Sequence, residues 1–411
     1  MLMPVEKAQQ LILENVHTLG RQELRPLSNA LGLLLGKDVQ ANEPIPPFTN
    51  SSMDGYAIRS QDVVGASSER PVRLPVLGVI RAGHPARAPL APHTAYKIMT
   101  GAPVPELADA VVPVEWTQSD SEHRVLVQKE APVGAHLRYQ GEDMPTGTVV
   151  LKRGTLITPP IVGMLASLGR DPVPVTTPPR VAILSTGDEL REPSETLVPG
   201  TIRNSNAYAI EASIRTAGGE PVRYPSAPDD PEAIRALMTR AAAECDLLVS
   251  SGGVSVGDFD FVKPVIESLG HLSLWRVNLK PGKPLAYGEV LGKPIMGLPG
   301  NPVSALVTFE LFVRPVIRVL LGETHWERPT LPLPLATDFA TVEDRRQYVR
   351  ARLVVRDGQL MLWPHSNQGS AVQSSWQNVD ALMIVPEGTG PYRAQDRLNA
   401  MVLSVDHIRM S

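Results

Sequence analysis

Two stretches decide the fold: Val181-Ala182-Ile183-Leu184-Ser185-Thr186-Gly187-Asp188-Glu189 and Asp246-Leu247-Leu248-Val249-Ser250-Ser251-Gly252-Gly253. Each is a short apolar run that ends abruptly in small polar residues and glycine. Such runs read as strands buried on both faces, the kind a parallel sheet needs. Helix patterns lie between and after them. Ala207, Ile210, Glu211 and Ile214 share one helical repeat closed by Gly218-Gly219. Asp230-Pro231 supplies an N-cap and a first-turn proline for Glu232–Ala243. Val262–Leu269 reads as a helix, Leu272–Leu279, Pro284–Gly288 and Pro294–Leu298 as strands, and a long helix runs from Pro302 to about Leu321. Strands alternating with helices over 180–322 predict a doubly wound, parallel α/β sheet.

Outward from this block the texture changes. Val5, Ala8, Ile12 and Val16 fall at helical spacing, and Ser28 can cap a second helix over Asn29–Leu35, stopped by Gly36. From Pro44, Val-rich runs at Arg73–Ile80, Ala110–Val114 and Arg124–Lys129 are broken by Gly and Pro and predict a small β-rich unit. The helix-compatible segment Ile161–Leu168 is read as rejoining the opening helices, which makes that unit an insertion. After Glu323 the chain is β-like again, and Asp357-Gly358 between Arg350–Val355 and Gln359–Trp363 predicts a hairpin.

Composition bounds the function. The 411 residues suggest about three compact units at roughly 150 residues each. With 43% apolar and 20% charged residues, the chain can build buried cores. A net charge of −4 gives no general attraction to nucleic acid or to an anionic membrane, so any anion site must be local. The single Cys245 excludes an internal disulfide framework and a cysteine metal cage. Nine histidines occur without metal-ligand spacing. No apolar run reaches the roughly 18 residues of a membrane span, and Glu6 and Lys7 fall where a signal peptide needs an apolar core. The expectation is a soluble, cytoplasmic protein. Forty prolines, clustered at Glu43–Phe48, Arg87–Pro92, Asp171–Pro179 and Thr330–Pro334, mark stiff boundaries.

In a parallel sheet, ligands bind beyond the carboxyl ends of the strands, and four unusual segments fall there. Asp188 and Glu189, after the first strand, could hold Mg²⁺ beside substrate phosphates; alone they also read as a solvated loop. Ser251-Gly252-Gly253-Val254-Ser255-Val256-Gly257-Asp258-Phe259-Asp260 offers backbone N–H groups to an anion. Asp258 and Asp260 would repel that anion unless a cation lay between. Lys280-Pro281-Gly282-Lys283-Pro284 fixes two positive charges on a stiff turn, suited to phosphate or another oxyanion. Gly297-Leu298-Pro299-Gly300-Asn301-Pro302-Val303-Ser304 places Pro302 where the free N–H groups of a helix begin. A P-loop is excluded, since Gly282-Lys283 and Gly292-Lys293 are each followed by Pro. Gly253–Gly257 matches the nucleophile elbow G-x-S-x-G, with Ser255 as nucleophile. That serine-hydrolase reading leaves the lysine turn without a task, and His271, His325, His365 and His407 lie in no loop with catalytic features.

Seven segments taken in order resemble the molybdopterin molybdenumtransferases (MoeA), a family similar to the gephyrin E domain. They are Asn50-Ser51-Ser52-Met53-Asp54-Gly55-Tyr56-Ala57, Met99–Pro105, Gly141-Glu142-Asp143, Ser185–Leu190, Ser251–Asp260, Lys280–Pro284 and Gly297–Ser304. The resemblance implies an elongated four-domain homodimer. Its parts would be a discontinuous linking domain, 1–44 plus 143–179; a β-rich insertion, 45–142; the α/β domain, 180–322; and a C-terminal β-barrel, 323–411. It also implies insertion of molybdate into adenylylated molybdopterin with phosphoanhydride cleavage and AMP release, aided by Mg²⁺ or a similar cation. Asp54, Thr100, Asp143, Glu189, Asp260, Lys280 and Lys283 become the catalytic candidates. Gly252, Gly253, Ser255, Gly257, Asn301, Ser304, Arg350 and Ser370 become substrate-binding candidates, with Lys283, Ser304, Arg350 and Ser370 on molybdate. Asp188, Glu189, Asp258 and Asp260 would serve metal and phosphate. Asp54 and Thr100 would reach the α/β site of the other subunit. The α/β block alone also resembles the molybdopterin adenylyltransferases, so the chain could instead catalyse that preceding step, or such an enzyme could hand it the substrate; the gephyrin likeness admits a receptor-clustering scaffold.

Overall fold

The computed structural model describes residues 2–121, 123–252, 261–405 and 409–410. The chain divides into two compact units, 24–175 and 1–23 with 176–411.

The α/β block of the second unit is built on six strands: β1 Arg180–Ser185, β2 Glu220–Arg223, β3 Leu247–Ser251, β4 Gly270–Arg276, β5 Pro284–Val290 and β6 Lys293–Leu298. Their order is β2-β1-β3-β6-β5-β4. The first four pair in parallel, as the alternating pattern predicts. The pairs β6–β5 and β5–β4 are antiparallel. A local turn causes the reversal. Leu291 (φ 49°) and Gly292 (φ 78°) are both left-handed, so β5 and β6 form a two-residue hairpin of the type that matches sheet twist.

Helices cover both faces. On one side α1, Ser205–Ala217, packs on β1 and β2. On the other, α2, Pro231–Glu244, and α3, Val262–Leu269, bury Ile234, Met238, Val265 and Ile266 against Ala182, Leu184, Leu248 and Ile295. The Asp230 carboxylate accepts the Ala233 N–H at 2.8 Å and starts α2, as expected. The long final helix is interrupted: Pro302–Thr308 and Arg314–Leu321 flank a π turn, Phe309–Val313. Pro315 has no N–H to give the Leu311 carbonyl four residues back. That carbonyl accepts Gln9 Nε2 at 2.9 Å, which ties down the N-terminal helix Val5–Glu14.

The same unit carries a second sheet. Strands Thr330–Pro334, Arg346–Arg356, Gln359–Pro364, Ala381–Val385 and Arg397–Val402 enclose Leu335, Val349, Leu353, Leu362, Met383 and Ala400. Leu335, just past the first strand, bridges to Leu362 on the hairpin at the other edge and so closes the sheet into a barrel-like form. Asp357 (φ 50°) and Gly358 (φ 74°) make the expected hairpin turn. Leu279–Lys280 joins this sheet in parallel, with Lys280 in register with Gln347.

In the unit 24–175, a six-stranded sheet runs through Gly55–Ile58, Val72–Ile80, Ala95–Ile98, Ala110–Pro113, Thr117–Ser121 and Arg124–Val127. The second opening helix is a correction: only Leu27–Asn29 is helical, a single 3₁₀ turn. The residues after it instead make bridges, Leu34 with Leu156 and Leu35 with Val175. Ala30, Leu35 and Val39 bury their apolar side chains with Leu165 of the helix Pro159–Ser167. Tertiary pairing overrides a short helical pattern that has too few turns to hold itself.

Candidate active site

Three parallel strands end side by side: β1 at Ser185, β3 at Ser251 and β6 at Leu298. The chain that follows each is bonded to its neighbours. Gly252 N–H donates to Leu298 O at 3.2 Å. Asn206 Nδ2, from the first turn of α1, donates to Ser251 Oγ at 2.9 Å and Gly300 O at 2.8 Å. Gly252 is left-handed (φ 87°), and a Cβ there would stand 3.3 Å from Thr186 O, so glycine is the residue this turn accepts.

A cavity of about 250 Å³ opens at these strand ends, lined among others by Thr186, Glu189, Ser205, Asn206, Gly252 and Asn301. Thr186 is 6% exposed, and its Oγ1 is buried without a hydrogen-bond partner. Hydroxyls, amides and the Arg203 guanidinium suit the phosphates of a ligand, while the Glu189 carboxylate calls for a cation between it and them. Asp188 does not line this cavity; its carboxylate accepts the Asp229 N–H at 3.4 Å. Among the described residues no group of three His, Cys, Asp or Glu could hold a metal. Thr186 and Glu189 offer hard oxygen donors, the set a phosphate-bound Mg²⁺ accepts, so one side of such a site fits. Gly253, Ser255, Gly257, Asp258 and Asp260 lie outside the described residues.

Asn301 also lines a second cleft, of about 480 Å³, whose walls include Lys280, Lys283, Ser304, Gln347, Gly369 and Ser370. Here the α/β block meets the barrel. Gly282 (φ 114°) sets the geometry: a Cβ would fall 2.6 Å from Thr308 Cγ2, so glycine lets the lysine turn lie on the helix that carries Ser304. Ser370 bonds the same helix start. Its Oγ accepts Asn301 Nδ2 at 3.2 Å, and its carbonyl accepts the Val303 N–H at 3.1 Å. One of the helix N–H groups expected to be free for an anion is therefore occupied by the barrel.

The cations of this cleft differ. Lys280 forms an ion pair with Glu343. Lys283 is exposed, and its ammonium has no partner among the described residues. Arg350 is wholly buried, and its Nη2 donates to the carbonyls of Asn367 at 3.1 Å and Gly369 at 3.3 Å. Its Nε and Nη1 have no partner, and it is absent from every ion pair among the described residues. Burial pulls its pKa down to about 10. A buried guanidinium held by carbonyls alone is costly unless an anion comes to it. Arg350 thus sits behind Gly369, at the back of the cleft.

In the other unit, Asp54 Oδ1 accepts both the N–H and the Oγ1–H of Thr100, each at 2.7 Å. These two donors hold the Asp54 carboxyl below its ordinary value. Gly55 is required behind it, since a Cβ would strike Val112 O. Asp143 is exposed and, among the described residues, makes no side-chain bond to either. Thus Lys280, Lys283, Asn301, Ser304 and Ser370 line one cleft, with Arg350 buried behind Gly369; Glu189, Gly252 and Asn301 gather at the neighbouring cavity; Asp54 and Thr100 gather with each other. Sequence reasoning passed over Thr186, Asn206, Glu343 and Gln347. Thr186 stood inside a quoted motif, but nothing in the pattern of the other three marks them.

The family model for the MoeA N-terminal region, domains I and II, matches residues 3–169. A probable molybdopterin binding domain matches 182–319, and the MoeA C-terminal region, domain IV, matches 332–403. Molybdopterin molybdenumtransferase 2 of Mycobacterium tuberculosis H37Rv is 42% identical over 334 residues, 80% of this chain and 82% of that protein. The molybdopterin molybdenumtransferase of Bacillus subtilis is 36% identical over 389 residues, 93% and 90% of the two chains. The molybdopterin biosynthesis moeA protein from Pyrococcus horikoshii OT3 superposes with a TM-score of 0.84 at 28% identity, covering 98% of this chain and all of that one. With motifs, domains and fold in agreement along its length, the chain belongs to the MoeA family of molybdopterin molybdenumtransferases.

Proposed function

We propose that this protein inserts molybdenum from molybdate into adenylylated molybdopterin, cleaving the phosphoanhydride and releasing AMP; the name of its relatives, molybdopterin molybdenumtransferase, supports the transfer of molybdenum to molybdopterin. The observation that carries the reading is Arg350: a buried cation without a carboxylate, bonded to the carbonyl of Gly369, which lines the same cleft as the unpaired Lys283. The adenylyltransferase, scaffold and hydrolase alternatives are not favoured by relatives that match both the flanking regions and the α/β block.

In this reading the cleft takes molybdate. Arg350 and Lys283 supply charge, and Ser304 and Ser370 supply directional donors. The adjoining cavity takes the phosphates, against the Gly252 backbone, Thr186 and Asn206. Asn301 lines both spaces and so brings the two reactants to one point, converting an encounter between them into a positioned reaction. Glu189 and Thr186, with Asp258 and Asp260, would hold Mg²⁺, which would neutralise phosphate charge as AMP leaves; Asp188 lies outside the cavity lining. Carboxylates beside an entering oxyanion need that compensation from cations. Incubation with adenylylated molybdopterin should release AMP in proportion to molybdate supplied. Release that ignores molybdate would refute the assignment.

The reading extends to a homodimer with the four-part division given above, working in the cytoplasm and receiving its pterin from an adenylyltransferase. Asp54 and Thr100 would then complete the partner's site. Heterodimers of an Asp54→Ala chain with a Lys283→Ala chain should regain part of the activity that each mutant homodimer lacks. No regain, with heterodimers demonstrated, would exclude a shared site.

A further inference from the structure

We infer that Glu343 is a positioning residue that holds Lys280 at the rim of the oxyanion cleft and cancels its charge, leaving Lys283 and Arg345 as the cations that line the cleft without a carboxylate partner among the described residues, with Arg350 buried behind Gly369. The inference rests on the molybdate reading of that cleft. Three separate links fasten Glu343 and its neighbours to the lysine turn. Strand Leu279–Lys280 pairs in parallel with Arg346–Gln347. Arg345 Nη1 donates to Leu279 O at 3.1 Å. The Lys280 ammonium donates to the Glu343 carboxylate. Glu343 is itself anchored, its carbonyl accepting the Gly388 N–H at 2.8 Å. Both side chains are about a third exposed, 37% for Lys280 and 29% for Glu343, so the pair is only partly shielded from solvent.

A paired lysine keeps two further N–H donors. Lys280 can therefore give a hydrogen bond into the cleft from a fixed place, while contributing no net attraction. A free lysine would have the opposite balance: more attraction and a wandering donor on a flexible four-carbon stem. Glu343 thus separates two tasks that the sequence pattern Lys280-Pro281-Gly282-Lys283 makes look alike. It also gives the loop before Arg346 a part in catalysis without touching substrate.

Glu343→Gln should lower kcat for molybdate-dependent AMP release about tenfold while leaving the KM for molybdate unchanged or reduced, since the cleft becomes more positive. Because a partly unfolded preparation also lowers apparent kcat at constant KM, kcat is taken per folded molecule, with the folded fraction measured by circular dichroism and thermal unfolding. Gln347 is 5% exposed, lines the cleft in register with Lys280, and its Nε2 lacks an acceptor. A carboxylate placed there by Gln347→Glu should restore part of the kcat lost in Glu343→Gln. A readout independent of turnover is acylation of Lys280 by a small activated ester, followed by peptide mass spectrometry. Lys280 should label several-fold faster in Glu343→Gln, with Lys283 unchanged. Equal labelling of Lys280 in the two proteins overturns the proposal even if the molybdate reading stands. A kcat within twofold of the parent, or a loss arising wholly from a higher KM for molybdate, overturns it as well. If AMP release in the parent ignores molybdate, the reading of the cleft fails, and the labelling rates still decide the role of Glu343.

Discussion

The two spaces that share Asn301 are built from opposite materials. The cavity at the strand ends is lined mainly by hydroxyls, amides, a glycine turn and the Glu189 carboxylate, with Arg203 as its one cation among the described residues and a buried Thr186 hydroxyl left unbonded. The cleft at the barrel is lined by lysines and backed by a buried arginine left unpaired. Unsatisfied groups show what each space is waiting for. An orphan hydroxyl and amide N–H groups donate directly to phosphate oxygens, with a cation offsetting the Glu189 charge. An orphan guanidinium calls for an anion directly. One reaction with two dissimilar anionic reactants has use for both.

If that contrast is real, the largest effect belongs to Arg350. Arg350→Met should cut molybdate-dependent AMP release about a hundredfold or more, as two or more charge-assisted bonds of roughly 1.5–3 kcal/mol each are lost. Stability in urea should fall by less than about 1 kcal/mol or rise, because an uncompensated buried charge leaves with the side chain. A variant that unfolds readily but retains its turnover per folded molecule would make Arg350 structural and erase the contrast.

A smaller effect tests the other space. Thr186→Val keeps the shape and removes the orphan hydroxyl. The KM for the pterin nucleotide should rise by about two- to tenfold, the worth of one hydrogen bond of roughly 0.5–1.5 kcal/mol, with the KM for molybdate unmoved. A change in molybdate KM alone would mean that the two spaces are not divided between the reactants.

The smallest effect concerns a charge that is already satisfied. Asp54 is exposed, and the donors of Thr100 keep its carboxyl below the ordinary aspartate value. A depressed folded pKa lends stability that is fully present above the unfolded value of about 3.9 and is lost as pH falls through the lower folded value. The Thr100 amide, followed by NMR, should therefore titrate with a midpoint below that of free aspartate. A midpoint at or above it would show that the Thr100 bonds do not persist in solution.

The sequence disclosed these regions unequally, for physical reasons. The α/β block was legible because buried strands such as Val181–Leu184 and a capped helix after Asp230 declare themselves locally. The β5–β6 hairpin was not, since Leu291-Gly292 is a weak turn signal and Leu291 tolerates a left-handed backbone only in context. The supposed helix at Asn29–Leu35 failed because long-range bridges outbid a short repeat. Within the cleft, Lys280 and Lys283 were equivalent letters on one turn. Their difference comes from Glu343, some sixty residues away and brought close by strand pairing. Arg350 was named through family likeness; its lack of a counter-charge became visible once the fold had buried it.

The most direct test is a crystal grown or soaked with molybdate and measured at the molybdenum absorption edge. The account predicts an anomalous peak in the cleft, within contact of Lys283, Ser304 and Ser370 and facing Arg350, that disappears in Arg350→Met. A peak confined to the Thr186–Glu189 cavity, or one that persists unchanged without Arg350, would contradict it.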